Sequence, residues 1–493
     1  MAYHSLQEFV QALEREGELK RIAHPVKAEL EITEIADRVM KSGSASSPSR
    51  GGSRDGGPAL LFENVVGKNI PVLINAFGSL KRMAMALGVA DIEEIAREIE
   101  RLTRMKPPGS LWDKLRMLPE LARLAGAAPK VVSEGACQEV VHREPDLGIL
   151  PVLTCWPGDG GPFITLPTVI SRDPATGSRN VGLYRMQVFD GRTTGMHWHL
   201  HKVGARHFLR QKEAKGKMEI AACLGGDPAL IYAATAPLPD QIDELLFTGF
   251  LRKKRLELVR AVTIDVEVPA DSDIVIEGYI DPAEPLRREG PFGDHTGFYS
   301  LADDYPVFHV TCITHRKHPI YPTTIVGRPP MEDAYLGKAT ERLFLPLLRL
   351  TFPEIVDMNL PAHGVFHNLA IVSIKKEYPA HARKIMHGLW GMGQMMFTKI
   401  LIVVDHDVNV HDPAEVTWIV GNHIDPKRDV LFVEGPVDVL DHAAPLMGYG
   451  SKMGIDATAK WKGEGFEREW PAPIVMDEKT KKYIDEIWEK LGI

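Results

Sequence analysis

Glu289 and Asp294 stand five residues apart in Glu289-Gly-Pro-Phe-Gly-Asp294-His-Thr-Gly-Phe-Tyr-Ser-Leu301, separated by a Gly-Pro-Phe-Gly turn. Glycine reaches backbone angles that other residues resist, and proline fixes φ. The segment therefore predicts a shaped loop that presents both acids from a rigid bend. Loops held by a scaffold are where catalytic groups concentrate; the plainer alternative is a strand-connecting turn with solvated acids. Far upstream, Asn180-Val181-Gly182-Leu183-Tyr184-Arg185 adds a permanent cation. Alternate residues of a strand face opposite sides, so the offset from Asn180 to Arg185 asks for a bend, expected at Gly182. Arginine binds a carboxylate in bidentate fashion. With Arg185 between them, one acid can move a proton while its neighbours set its pKa. That chemistry suits an acid substrate that loses or gains its carboxyl group.

A second set of residues suggests an ion. Met196-His197-Trp-His199-Leu200-His201-Lys202 places three histidines at alternate positions, on one face if the segment is extended. Histidine is the commonest metal ligand among side chains; the alternative is a half-buried polar strand face. Glu244 can add a carboxylate from a helix. An Asn oxygen, an imidazole and a carboxylate suit Mg²⁺ or Mn²⁺ better than zinc or copper. Such ions usually bind a phosphate too, so a phosphorylated cofactor is the natural fourth partner. Lys452, in Gly448-Tyr-Gly-Ser-Lys-Met-Gly454, offers an ammonium in a glycine-rich turn suited to phosphate contact. The spacing is not that of a P-loop.

These residues need a scaffold, and 493 residues suffice for two to four domains. Hydrophobic residues at 44% and charged residues at 25% fit a soluble globular chain. The net charge of −8 gives no nucleic-acid footprint. No apolar run is long enough to span a bilayer, and the N-terminus lacks a signal-peptide layout. Cys137, Cys155, Cys223 and Cys312 show no paired spacing, which points to neither zinc nor disulfides and to a reducing cytoplasm.

Helical spacing over residues 5–16, 32–40, 78–105 and 111–126, with short strands at 59–62 and 72–75, predicts an N-terminal α/β unit. The Ser/Gly-rich stretch 42–57 reads as a surface loop. From Val131 short apolar runs alternate with turns, at 138–141, 164–171, 182–189, 217–224, 261–268, 273–279 and 306–316. That density suggests a barrel or closed sheet. Helices are expected over 202–213 and 242–251. Beyond Arg328-Pro-Pro330, a bridging helix at 339–350, strands at 370–374 and 399–404, and helices at 380–396 and 480–491 predict a second α/β unit.

Together these motifs resemble the UbiD-type decarboxylases, which use prenylated flavin mononucleotide. The likeness runs over nearly the whole chain. It includes Leu150-Pro-Val-Leu-Thr-Cys-Trp-Pro157, Asn180–Arg185, Val268-Pro-Ala, Glu277-Gly-Tyr, Glu289–Gly297, Gly327-Arg-Pro-Pro330, Phe352-Pro-Glu-Ile-Val356, Asp405-His-Asp-Val-Asn409 and Gly450–Thr458. The 4-hydroxy-3-polyprenylbenzoate decarboxylases of ubiquinone biosynthesis look most similar. The resemblance implies an α+β fold: an N-terminal α/β domain (1–128), a central split β-barrel of flavin-reductase type (129–330), a linker helix (331–351) and a C-terminal α/β oligomerisation domain (352–493). It implies Asn180, His201 and Glu244 as Mn²⁺ ligands against the cofactor phosphate, with K⁺ as a further ion. Residues Asn180, Val181, Gly182, Leu183, Tyr184, Arg185, Leu200, His201, Glu244 and Lys452 would bind the cofactor. Arg185, Glu289 and Asp294 would be the catalytic set, with Asp294 as proton donor. Asp294 departs from the Glu of many relatives, and His197 stands where an arginine often opens the segment.

The activity this implies is reversible, non-oxidative decarboxylation of an aromatic acid through covalent addition to prenylated FMN. The expected substrate is a 4-hydroxy-3-polyprenylbenzoate; the alternative is a smaller aromatic, heteroaromatic or naphthoic acid. A third reading, a non-catalytic flavin-binding or assembly protein, sits poorly with an intact Arg185/Glu289/Asp294 set. The implied partners are a flavin prenyltransferase as cofactor supplier and further copies of the chain, as a dimer or hexamer. A lipid-tailed substrate would add peripheral membrane contact to a cytoplasmic location.

Overall fold

The computed structural model describes residues 2–42, 56–105, 125–198, 202–239 and 242–492. His199, Leu200, His201, most of the stretch 42–57 and nearly all of the expected helix 111–126 lie outside them.

The first helix, Leu6–Arg15, starts where the Ser5 hydroxyl accepts the Glu8 amide, and it buries Leu6, Phe9, Val10 and Leu13 at helical spacing. It covers a four-stranded sheet in the order Leu19–Ile22, Ala59–Phe62, Val72–Ile74, Tyr321–Pro322. The last strand comes from the end of the central region, paired in parallel with Val72–Ile74. The N-terminal and central regions therefore share a sheet. The expected long helix at 78–105 is two helices, Leu80–Ala86 and Glu93–Thr103.

The central sheet runs Thr193–Gly195, Val307–His315, Ile274–Ile280, Met218–Leu224, Thr168–Arg172, Arg179–Leu183, with Val140–His142 also paired to Val307–His315. Each of these pairs is antiparallel. Among the described residues the two ends of this order do not pair with each other, so the sheet is not seen to close. Its inner face feeds a core that includes Ile164, Met186, Trp198, Ile276 and Phe292. The helices Val203–Ala214 and Glu244–Arg252 follow the expected segments closely.

Helix Asp333–Thr351 bridges the regions. Its Arg342 meets Glu93 at 2.5 Å on one side and Asp357 at 2.6 Å on the other. Beyond it a five-stranded mixed sheet runs Ile355–Asn359, Leu369–Ile374, Ile400–Asp405, Tyr449–Asp456, Val430–Pro436. The helix expected over 380–396 stops at Trp390. Gly391 caps it and Gly393 adopts φ +47°, after which a 3₁₀ turn, Gly393–Phe397, takes over. The residue classes fit a mixed α+β fold with two α/β ends.

Candidate active site

Arg185 lies just beyond strand Arg179–Leu183. That strand pairs with Thr168–Arg172 in unbroken register, Gly182 opposite Val169, so the bend expected at Gly182 is absent there. The chain turns at Tyr184 and Arg185 instead, before Met186–Gln187 pairs with Phe163–Ile164. Gly182 serves another purpose. A Cβ on it would sit 2.4 Å from the Tyr184 ring, which folds back over it.

The loop that carries the two acids is tied down at several points. The Gly290 amide donates to Gln187 Oε1 at 2.7 Å, and the Gly293 amide donates to Asp159 Oδ1 at 2.7 Å. Asp159 also accepts the Trp156 amide, and Trp156 Nε1 donates to the Val326 carbonyl. Gly290 adopts φ +91°, a region that L side chains rarely enter, and precedes a cis peptide to Pro291. The acids thus face inward by backbone design: Glu289 is 1% exposed and Asp294 5%.

Arg185 joins both of them. Its Nε donates to Glu289 Oε1 at 3.3 Å, its Nη1 to Asp294 Oδ2 at 2.5 Å, and its Nη2 to Ser300 Oγ at 3.2 Å. The guanidinium stacks on the Phe292 ring, 4.4 Å from its centroid. His197 Nδ1 donates to Glu289 Oε1 at 2.7 Å, with its ring 4.3 Å from that of Tyr305. The other Glu289 oxygen, Oε2, is buried with no hydrogen-bond partner among the described residues. A Cβ on Gly195 would come within 3.0 Å of it. A buried carboxylate oxygen left open is costly, and a bound donor would satisfy it.

Burial works to raise the Asp294 carboxyl, but Arg185 and His295 beside it outweigh that and hold it well below the usual carboxylate range. Burial and the Arg185 charge lower His197, against the pull of Glu289, so its imidazole is neutral around pH 7. Asp294 Oδ1 accepts both the His295 amide and His295 Nδ1, each at 2.9 Å. His295 Nε2 in turn meets His367 Nε2 at 2.7 Å, a contact to the loop before strand Leu369–Ile374. Phe298 and His442 also approach, with ring centroids 6.1 Å apart. The acid loop therefore lies at the junction of the central and C-terminal regions.

The second set is partly assembled. Asn180 is buried and its amide donates to the Tyr184 hydroxyl at 3.4 Å. Glu244 heads helix Glu244–Arg252, and its Oε2 accepts the Val181 amide at 3.0 Å. The amide that Glu244 accepts thus belongs to the residue next to Asn180. Burial pushes the Glu244 carboxyl up to about 7, against the Val181 hydrogen bond and Arg179. Such a carboxyl is one that a cation would discharge, and an amide oxygen with a carboxylate is a hard donor set. The residues present fit a divalent ion. Among the described residues no cluster of three or more His, Cys, Asp or Glu forms a metal site; His201 lies outside them.

Lys452 is not in a turn. Gly448–Gly454 falls largely within strand Tyr449–Asp456, where Gly450, Lys452, Gly454 and Asp456 face inward. Gly454 is small because a Cβ there would meet Met386 Sδ at 2.5 Å. Burial lowers Lys452 to about 8, and its ammonium donates to the Met396 carbonyl and lies 5.9 Å from the Trp390 ring. Those contacts join the strand to a 3₁₀ turn and a helix of the C-terminal region and do not link Lys452 to Asn180 or Glu244.

Three successive domain families cover most of the chain. Residues 10–102, 130–329 and 334–457 match the N-terminal, Rift-related and C-terminal domains of 3-octaprenyl-4-hydroxybenzoate carboxy-lyase. An uncharacterized protein of Aquifex aeolicus (strain VF5) is 52% identical over 100% of this chain and 99% of its own. The chain belongs to the UbiD family. UbiD-family enzymes are prenylated-FMN-dependent decarboxylases, that is, carboxy-lyases. Among solved structures, the UbiD-class enzyme HmfF of Pelotomaculum thermopropionicum in complex with FMN is 33% identical, with TM-score 0.78 over 95% of this chain and 98% of that one. Vanillic acid decarboxylase of Sedimentibacter hydroxybenzoicus in closed form is 28% identical, with TM-score 0.84 over 100% and 99%. No described helix is long and apolar enough to cross a membrane.

Ser300 and Phe292 contact Arg185, and His295 and His367 extend in line from Asp294; residue type alone did not single them out. His197, left without a role in the sequence, is placed against Glu289.

Proposed function

We propose that this chain decarboxylates an aromatic carboxylic acid, reversibly and without net oxidation, using Arg185, Glu289 and Asp294. The convergence of one guanidinium on two buried acids at a domain junction carries the reading. In the resting site Arg185 keeps Asp294 ionised, which is the wrong state for a proton donor. An incoming substrate carboxylate competes for the same planar donors. Once Arg185 turns to it, the Asp294 carboxyl rises toward the range its burial favours and can take up a proton. Asp294 then protonates the carbon that carbon dioxide vacates, while Glu289, oriented by His197, holds Arg185 in place. Phe163 and Phe292 exclude water from the guanidinium.

The chemistry that prenylated FMN supplies when bound is an electron sink for the breaking carbon–carboxyl bond. HmfF has been solved with FMN and, in an evolved dimeric form, with prenylated FMN. In this chain residues 180–185, with Leu200 and His201, would line it. Asn180, His201 and Glu244 would hold Mn²⁺ at its phosphate, with K⁺ as an accompanying ion. Lys452 would reach that phosphate only after giving up the Met396 carbonyl. We assign the central sheet to the split-barrel type on the same family grounds, and the C-terminal region to assembly as a dimer or hexamer. A flavin prenyltransferase would supply the cofactor.

For the substrate we favour a 4-hydroxy-3-polyprenylbenzoate, the acid after which the matched domains are described, which would place the enzyme in ubiquinone biosynthesis and at a membrane surface. The likeness to vanillic acid decarboxylase supports a smaller aromatic acid as the second reading. Protein co-expressed with a flavin prenyltransferase, assayed for carbon dioxide release from prenylated and unprenylated hydroxybenzoates, separates them. Turnover of only the short acid removes the quinone reading; turnover of no aromatic acid removes both.

A further inference from the structure

We propose that His295 is the proton store that recharges Asp294, and that His367, brought by the C-terminal region, is the residue that keeps His295 charged and aimed. Both act through Asp294, so both are positioning residues. The inference rests on the reading of Asp294 as the proton donor.

The geometry is a line of three groups. Asp294 has two oxygens in different company: Oδ2 takes the Arg185 guanidinium, and Oδ1 takes His295. An ionised carboxylate only accepts, so His295 Nδ1 must carry the hydrogen in that bond. On the far side of the ring, His295 Nε2 and His367 Nε2 stand 2.7 Å apart. Two ring nitrogens at that distance need one hydrogen between them. If His295 supplies it, His295 is an imidazolium with both nitrogens donating, and His367 is a neutral acceptor. The Phe366 ring stacks on His295 at 5.2 Å and 19°, and the His367 ring meets it edge-on at 5.0 Å and 75°. His295 is thereby fixed in orientation from both sides. Val365 and Phe366, which precede His367, adopt φ of +46° and +45°. Non-glycine residues rarely hold that conformation, so the chain is under strain where it delivers this contact.

The charges around the pair agree with this assignment. Burial opposes the charged form of His295, but Asp294, with Asp333 at the head of the bridging helix and Asp438 from the C-terminal region, outweighs it and raises the ring. Burial and the charge of His295 push His367 down to about 4, against Asp438 and Asp294. Burial also raises Asp333 to about 6. Arg185 faces the cluster only through Asp294. The pair thus holds a single positive charge, on the ring next to the carboxylate.

The proton steps balance. When the substrate draws Arg185 away, the His295 Nδ1–H bond breaks and an Asp294 Oδ1–H bond forms, leaving neutral imidazole and neutral acid. That O–H bond then breaks as the new carbon–hydrogen bond of the product forms. After product release, one solvent proton returns to His295. The net result is one proton moved from water to carbon.

The test uses the holoenzyme with an aromatic acid that it turns over, comparing wild type, His367→Ala and His367→Gln across pH. A raised histidine is charged below its pKa and loses the charge as pH rises through it, so wild-type kcat should fall on the alkaline side. In His367→Ala the alkaline limb should move down by about one pH unit, a tenfold change in the equilibrium. Its kcat should fall further at pH 8 than at pH 6, by up to about tenfold, within the range of a lost acid–base contribution, with KM close to wild type. Glutamine retains an acceptor, so His367→Gln should recover most of the loss. An alanine variant with the wild-type profile, or one that loses activity equally at pH 6 and pH 8, overturns the proposal. Should the alanine variant not fold, ¹⁵N-histidine spectra of the wild-type protein at pH 7 decide: both His295 ring nitrogens protonated support it, and a neutral His295 refutes it. Because the spectra need no turnover, a wild type inactive on every aromatic acid would defeat the decarboxylase reading separately.

Discussion

Two carboxylates lie at opposite ends of the segment Asn180–Arg185, and the chain treats them in opposite ways. Asp294 is buried against a guanidinium, a histidine and a backbone amide, and is held far below its ordinary range. Glu244 is partly buried with one backbone donor, and rises to about 7. Arg179 offsets this only in part, being engaged by Asp243 at 3.1 Å and Glu267 at 3.7 Å. The difference is one of completeness. The Arg185 end carries its counter-charges within the chain and is preorganised for charge transfer. The Glu244 end is short of positive charge, as the proposed cation site requires.

The largest effect should come from breaking the complete end. Arg185→Ala leaves Glu289 and Asp294 buried without their cation, which costs about 3–5 kcal/mol of stability. Thermal unfolding checks this, and decarboxylation should fall below detection in the same protein. Glu289→Gln keeps the shape but removes a charge from both Arg185 and His197. We expect about a hundredfold loss of kcat, the lower end for a lost acid–base partner, with flavin absorbance unchanged. The smallest effect sharpens the other end. The unfolded chain gives up the Glu244 proton in the ordinary carboxylate range, while the folded protein keeps it to about 7. The folded state therefore binds more protons in that window, and the metal-free protein should lose stability as pH rises through it. Glu244→Gln should lack that slope. Adding Mn²⁺ at pH 8 should raise the melting temperature of the wild type by a few degrees, consistent with about 1 kcal/mol in a large chain, and leave the variant unmoved.

Much of the complete end was legible in the sequence because its logic is local. A Gly-Pro-Phe-Gly turn fixes how Glu289 and Asp294 face, and few residues but arginine pair with two acids. The contacts that cross strands were not legible. His197 reaches Glu289 only because Thr193–Gly195 pairs with Val307–His315 and Arg287–Glu289 pairs with Asp303–Tyr305. Register of that kind is set by the whole sheet. His367 lies in a loop whose positive φ values no residue type announces. Glycines misled in two places. Gly182 looked like a bend but makes room for Tyr184, and Gly454 beside Lys452 looked like part of a turn but lets a strand pack closely on a helix. In both, close packing produced the same signature as backbone freedom.

The most direct test of the central claim is turnover of an aromatic acid in D₂O by prenylated-FMN-loaded protein, followed by mass spectrometry of the product. The account predicts one deuterium at the carbon that lost its carboxyl group, formed by the wild type and not by Asp294→Asn. Full, singly deuterated turnover by Asp294→Asn would contradict it.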